Sequence, residues 1–320
     1  METITPPKQE FMAKFTRQEP LARDSTAIVH AKKCLRMYFY RIVLGFTERT
    51  TKPYFRFGSA YHVFMETLER SWYNPVTKIG DKDYKNEKHI HLALQAAVKR
   101  FGKNDPPVGS QWDFQTSGKL VASCLKAYKK WQNEKRVGAI EVIGIEQEFE
   151  IVLSDGKTRR GGKSDQFLKW NSELGARDWK TSSQTKQKFE RGIDPNDQFD
   201  GYLLGLSHLA NEHVGFLLVD TLFNRKPTKS DPGGPDIEVF TVTKTPWQLA
   251  QFEKECILYE SLIDRAREKD IWPMEQSQCW SCIYRSVCRK GTENAQMNQL
   301  ESEFRVEPWD YKTLDQRYTV

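Results

Sequence analysis

Gly162-Lys163-Ser164-Asp165 and, thirteen positions after that aspartate, Asp178-Trp179-Lys180 form the stretch on which the reading of this chain turns. Successive side chains of a strand point to opposite faces, so Asp178 and Lys180 project one way and Trp179 the other. A carboxylate beside an ammonium, with a second carboxylate upstream, is what metal-dependent hydrolysis of a phosphate ester requires. Carboxylate oxygens hold hard divalent cations, and a neighbouring lysine positions water or offsets charge on phosphate. Alone, an Asp-x-Lys pair is ordinarily an exposed ion pair of little energetic worth. Its company decides.

Around this stretch the apolar pattern has period two. Glu141–Val152 alternates, with Ile143, Ile145, Phe149 and Ile151 on one face and Glu146, Glu148 and Glu150 on the other. Arg159–Trp170 and Leu174–Thr181 read as the next strands, Val214–Asn224 and Ile237–Thr243 as two more flanking a Pro/Gly loop. A helix over Pro195–Ala210 sets Gln198 and Tyr202 on one face, and Trp247–Arg267 is amphipathic. Upstream, Asp24-Ser25-Thr26 caps a helix through Ala27–Val43. A second runs from Ser59 to Trp72, with Tyr61, Met65, Leu68 and Trp72 as its buried stripe and His62 beside it. The expected class is α/β, a mixed sheet with flanking helices. Residues 1–23 read as a flexible arm, 24–290 as one domain and 291–320 as a tail. Within the domain lie a helical insertion at 74–138 and a sheet core at 139–243.

The 320 residues include 49 Lys and Arg against 43 Asp and Glu, a net charge of +6 that permits a polyanionic partner without demanding one. No apolar run approaches membrane-spanning length, and Met1-Glu2-Thr3-Ile4-Thr5-Pro6 lacks a signal-peptide pattern. A cytoplasmic location, with no membrane partner, is the expectation. Six cysteines in a reducing compartment argue against a disulfide framework. Cys124 and Cys256 sit on apolar helix stripes and read as core. Cys279-x2-Cys282-x5-Cys288 has metal-ligand spacing, and Cys34 is the remaining thiol for a fourth ligand. Zinc or an iron–sulfur cluster would satisfy such a set.

Taken in order, Cys34, Gly58-x3-His62, Gly162-x2-Asp165, Asp178-x-Lys180, Gln198-x3-Tyr202 and Cys279-x2-Cys282-x5-Cys288 resemble the PD-(D/E)XK nucleases. The likeness is greatest to the RecB-like branch clasped by a four-cysteine [4Fe-4S] cluster, which includes AddB nuclease domains and the CRISPR-adaptation exonucleases. The resemblance implies a restriction-endonuclease-like core with a C-terminal iron–sulfur region. It further implies a Mg2+- or Mn2+-dependent deoxyribonuclease, acting as an exonuclease in DNA end processing, recombination, replication or repair. His62, Asp165 and Asp178 would bind the metal and Lys180 would orient the attacking water. Glu146 would be an additional acid, with Glu148 competing for that place. Gln198 and Tyr202 would line the site, and Cys34, Cys279, Cys282 and Cys288 would hold the cluster. The helical segment at 74–138 departs from the family pattern and bears on substrate path and polarity.

For single-stranded DNA or duplex ends as partner, Lys32, Lys33, Arg36 and Arg41 on the first helix are candidate phosphate contacts. Tyr38 and Tyr40 are candidate stacking platforms, and Lys186, Lys188 and Arg191 lie just after the active strand. The same residues also read as a solvated helix face with its tyrosines packed inward. Two other functions fit the pattern: trimming of DNA in CRISPR adaptation, and a catalytically silent DNA-binding scaffold.

Overall fold

The computed structural model describes residues 22–49, 53–74, 79–80, 86–102, 105–106, 110, 113, 115–229 and 233–313. Of the arm expected at 1–23, all but Ala22 and Arg23 lies outside the described residues. In chain order come α1 (Ser25–Lys33), α2 (Leu35–Tyr38), β1 (Phe46–Glu48), α3 (Pro53–Trp72), β2 (Tyr73–Asn74), β3 (Ile79–Gly80), α4 (Glu87–Phe101) and α5 (Ser117–Val137). Next are β4 (Ile140–Val152), β5 (Arg159–Trp170), β6 (Glu173–Ser182), α6 (Lys186–Glu190), α7 (Asp197–Ala210), β7 (Phe216–Phe223) and β8 (Asp236–Thr243). The order closes with α8 (Pro246–Lys269), α9 (Arg285–Cys288), α10 (Glu293–Glu303) and β9 (Phe304–Val306). The chain divides into two compact units, one of residues 1–50 with 255–310, the other of 51–254 with 311–320.

In the 51–254 unit the five strands stand in the order β4-β5-β6-β7-β8. All neighbours are antiparallel except β6 and β7, which run parallel. Parallel neighbours need a crossover, and α6 and α7 provide it. Every residue of β7 is buried, as befits an inner strand covered on both faces. Trp179 of β6 enters an apolar cluster with Phe57, Tyr61 and Phe64 of α3, Phe101 of α4 and Cys124 of α5. The helices expected as an insertion therefore share one core with α3 and the sheet. On α7, Phe199, Leu203 and Leu206 are buried, and the helix packs against β4 and β5.

The alternation expected in β4 holds only in part. Phe149 and Ile151 are buried, but Val142 is buried in place of Ile143 and Ile145. The register against β5 shifts between Val142 and Gly144, a bulge that reverses the faces on either side of it.

In the unit of residues 1–50 and 255–310, the Asp24 carboxylate caps α1 by accepting from Thr26 N at 3.2 Å and Ala27 N at 3.1 Å. The continuous helix expected over Ala27–Val43 breaks at Cys34, which is extended at φ −172° and ψ 118°. It resumes as α2 and a wide turn over Phe39–Val43. Of the expected tail, residues 291–313 are described and carry regular structure, while 314–320 lie outside the described residues. Thr292 caps α10 by accepting from Ala295 N at 3.2 Å, and β9 pairs antiparallel with β1, Phe304 opposite Glu48. Met297, Leu300 and Phe304 join the cluster of Ile28, Tyr38, Ile42 and Tyr284. Only two residues of α10 are buried, Met297 and Leu300, too few to print a helical period on the sequence.

Candidate active site

The ladder between β5 and β6 ends at Gln166 opposite Arg177. Beyond it the strands are joined through a side chain: Trp179 N–H donates to Asp165 Oδ2 at 2.6 Å. Asp178 is fully buried, and Lys180 Nζ lies 3.0 Å and 2.9 Å from its two carboxylate oxygens. Lys180 Nζ also donates to Gln198 Oε1 at 2.9 Å, and Gln198 Nε2 donates to Tyr202 OH at 2.7 Å. The Asn196 side chain caps α7 by accepting from Gln198 N at 2.9 Å, which fixes the turn presenting that amide. Burial first, then the Asp178 and Asp165 charges, push the Tyr202 phenol well above its ordinary range. The phenol is therefore neutral, and its oxygen accepts from Gln198.

On the other side of Asp165, His62 Nδ1 is 3.5 Å from Asp165 Oδ2. Gly58, one turn before His62, sits so close to β6 that an added Cβ would lie 3.0 Å from Thr181 Oγ1. The glycine lets α3 lie against the strand. Ligand atoms of His62, Glu146 and Asp165 all fall within 4.8 Å of one another. Glu146 holds φ at +51°, a left-handed conformation unusual for a residue with a Cβ. Lys163 Nζ lies 2.7 Å from Glu146 Oε2. Burial first and the Asp165 carboxylate second push the Glu146 carboxyl up to about 8, with Lys163 opposing. Two carboxyls crowded in a half-buried place favour either a shared proton or a cation between them. One imidazole nitrogen and two carboxylates are a donor set that suits Mg2+ or Mn2+.

The residues expected from sequence are thus brought together in two linked groups. His62 and Asp165 converge with Glu146, while Asp178 is held by Lys180. Glu148 is exposed and stands apart. Lys163 had not been singled out, although its place two residues before Asp165 on a strand puts it on the same face.

The other candidates belong to the 1–50 and 255–310 unit. Cys34 is buried, and Glu275 N–H points at its sulfur at 3.4 Å. Burial raises the thiols of Cys282 and Cys288, and the charges of Cys34 and Cys279 raise both further. Lys32 pairs with Glu255 at 3.2 Å and lies 5.4 Å from the Tyr259 ring centroid. Arg36 Nε donates to Trp272 O at 3.1 Å. Arg41 is buried, donating to Glu307 O at 3.1 Å and lying over Trp309. Lys33 is exposed.

Tyr38 and Tyr40 are corrections to the stacking reading. Both are buried, Tyr38 stacked on Trp272 and accepting from Arg23 Nε, Tyr40 donating to Gln296. In the sheet unit, Lys186 pairs with Asp236 at 2.8 Å and Glu238 at 2.7 Å. Lys188 and Arg191 are exposed. Among the described helices, none is long and apolar enough to cross a membrane.

Comparison with solved structures finds a candidate exonuclease from Eubacterium rectale, with a TM-score of 0.49 and 11% identity over 85% of this chain and 90% of that one. The protein SSO0001 is similar at a TM-score of 0.29 and 12% identity, over 82% of this chain and 96% of that one. No curated protein sequence matches. The sequence profile of the PD-(D/E)XK nuclease superfamily matches residues 25–289, a span that runs from the first residue of α1 to just past Cys288 and takes in both groups of side chains. On that match, over most of its length, the chain belongs to the PD-(D/E)XK nuclease superfamily.

Proposed function

We propose that this nuclease is a Mg2+- or Mn2+-dependent deoxyribonuclease that works as an exonuclease on DNA ends or single strands. We further propose that it belongs to the RecB-like branch and carries a [4Fe-4S] cluster on Cys34, Cys279, Cys282 and Cys288. The observation that carries the reading is the convergence of His62, Glu146 and Asp165 beside the Asp178–Lys180–Gln198–Tyr202 chain.

A divalent cation held by His62 and Asp165, with Asp178 as the third ligand expected from sequence and Glu146 converging on the same place, would supply Lewis acidity to water and offset charge on the phosphate. The chain's own residues do the rest. Asp178 fixes Lys180 from one side and Gln198 from another, leaving the ammonium, which has three donors, able to hold water or a phosphate oxygen. Asp165 ties β5 to β6 through Trp179 N–H, so the acid and the lysine keep their spacing. Lys163 holds Glu146 toward the same place. Neutral Tyr202 keeps the Gln198 amide turned with its oxygen to the lysine.

Zinc is the competing occupant of the four thiols, and metal analysis separates the two. The cluster would be structural, since it would tie residue 34 to residues 279–288 and close a long loop.

End-labelled single- and double-stranded DNA with manganese, beside a closed circular control, tests the activity. The ends should be degraded and the circle spared. Asp178→Ala or Lys180→Ala should lower cleavage by about 10²–10³-fold with circular dichroism unchanged. Full activity in either variant would sink the assigned site. Aerobically purified protein should be brown with broad visible absorption, and a colourless, fully active protein holding stoichiometric zinc would refute the cluster.

A further inference from the structure

A pocket of about 220 Å³ opens where β6 runs out, directly after Lys180. Thr181 and Ser182 of β6, Tyr54 and Phe57 from the start of α3, Gln115 and Asn224 are among the residues that line it. One ordered water needs only about 10–15 Å³, so the pocket is large enough for a ligand of many atoms. None of the described residues that line it is charged. It is suited to a neutral ligand with hydrogen-bonding edges, not to a phosphate.

Two buried amides add an independent observation. Asn224 is 1% exposed and Gln115 5%. Neither Nδ2 nor Oδ1 of Asn224 has a hydrogen-bond partner, and nor does Oε1 of Gln115. Buried amide groups are nearly always satisfied, and a pair that is not leaves room for a water or a ligand to bond them. Asn224 is held in place from behind. Its backbone N–H donates to Ser182 O at 2.9 Å, and Gly234 passes so close that an added Cβ would lie 2.8 Å from Asn224 Cα. The backbone is fixed while the amide is left for something else.

A planar ligand with donors and acceptors on its edge, offered an aromatic ring and two amides, describes a nucleobase. Ser182 is two residues beyond Lys180, about 7 Å along a strand, which is the reach of the nucleotide next to the one whose phosphate Lys180 meets. We propose that this pocket is a nucleobase subsite, in which Tyr54 covers the face of a base adjoining the cleaved bond while Asn224 and Gln115 bond its edge. The inference rests on the proposed DNA-cleaving activity and adds a contact by which that activity senses a base.

DNA oligonucleotides carrying one abasic position at successive distances from the labelled end test it, using the full chain with manganese. For the native protein, one abasic position beside the cleaved bond should raise KM about tenfold. Tyr54→Ala and Gln115→Ala should abolish that discrimination, giving equal KM for abasic and intact DNA, while Tyr54→Phe keeps it. Equal KM at every abasic position in the native protein means a water-filled pocket and overturns the subsite, as does discrimination undiminished in both alanine variants. If the native protein cleaves no DNA, the proposed activity has failed. Binding of the same oligonucleotides with calcium then decides the pocket alone, by whether one abasic position raises Kd about tenfold.

Discussion

Glu146 stands in the middle of a strand with a left-handed backbone, a conformation that costs a side-chain-bearing residue about 1–2 kcal/mol. Such outliers persist where the surroundings force them and cluster at active sites. Here the kink brings a carboxyl to His62 and Asp165, where burial and repulsion penalise its charge. Glu146→Gly relieves both costs and removes the ligand. The variant is expected to unfold at the same temperature as the native chain or higher, while cleavage falls by about 10²-fold. Thermal unfolding followed by circular dichroism checks it, and a loss beyond ~2 kcal/mol would contradict the strain. At this scale the sequence was readable where period two held without interruption, as at Asp178 and Lys180. It was misleading where the bulge intervened. Gly144 was the available signal, since a glycine inside a strand pattern marks a bulge. Tyr38 and Tyr40 left two readings open, because an aromatic pattern does not tell a ring that stacks on a ligand from one that fills a core, and the structure shows the inward one.

Helix α5 is joined to β6 by charge as well as by apolar packing. Arg177, 2% exposed, donates through Nη1 and Nη2 to Glu134 at 2.9 Å and 2.8 Å. Burial pushes the Glu134 carboxyl up, but the Arg177 charge and hydrogen bonds, with Lys135 and Lys130, outweigh it and hold it at about 2 against an ordinary 4.5. A folded value below the unfolded one means that the pair's stabilisation is present above pH 4.5 and is lost as pH falls toward 2. The difference is on the order of 3 kcal/mol. Urea unfolding at pH 6 and pH 3 should show about 2 kcal/mol of that loss, and Glu134→Gln should shrink it. Equal pH sensitivity in that variant would count against the pair. The helices themselves were legible because their stripes are long, α3 and α5 above all. The break at Cys34 was not, because Lys33-Cys34-Leu35 contains no glycine or proline to announce it. What holds that residue extended is tertiary: the chain at 273–275 meets its sulfur.

Across the whole molecule, the order of motifs along the chain pointed to the superfamily before any packing was visible. The division into two units was hidden, because each unit is assembled from separated stretches of sequence. The strand pair β1–β9 is the clearest case, joining residues 46–48 to residues 304–306. Phe304 is buried in the cluster that also surrounds the cysteines' helices. Phe304→Ala is expected to cost that unit about 3–5 kcal/mol. Because all four cysteines lie in it, the visible absorption of the proposed cluster should bleach at a lower temperature than in the native protein. Absorbance melts of the two proteins compare them directly, and identical bleaching would separate the cysteine centre from this core.

The bond from Tyr284 OH to the Phe46 carbonyl spans 238 residues, and that span is also an interval of time. A ribosome adds about 5–20 residues per second, so α1, α2 and β1 wait on the order of ten seconds or longer for the segments that cover them. The five strands of the sheet are all synthesised by Thr243, before any of Cys279, Cys282 and Cys288 exists. The strands of the sheet are thus available to pair before the thiol set exists, and the proposed cluster could be completed only once Cys288 has been made.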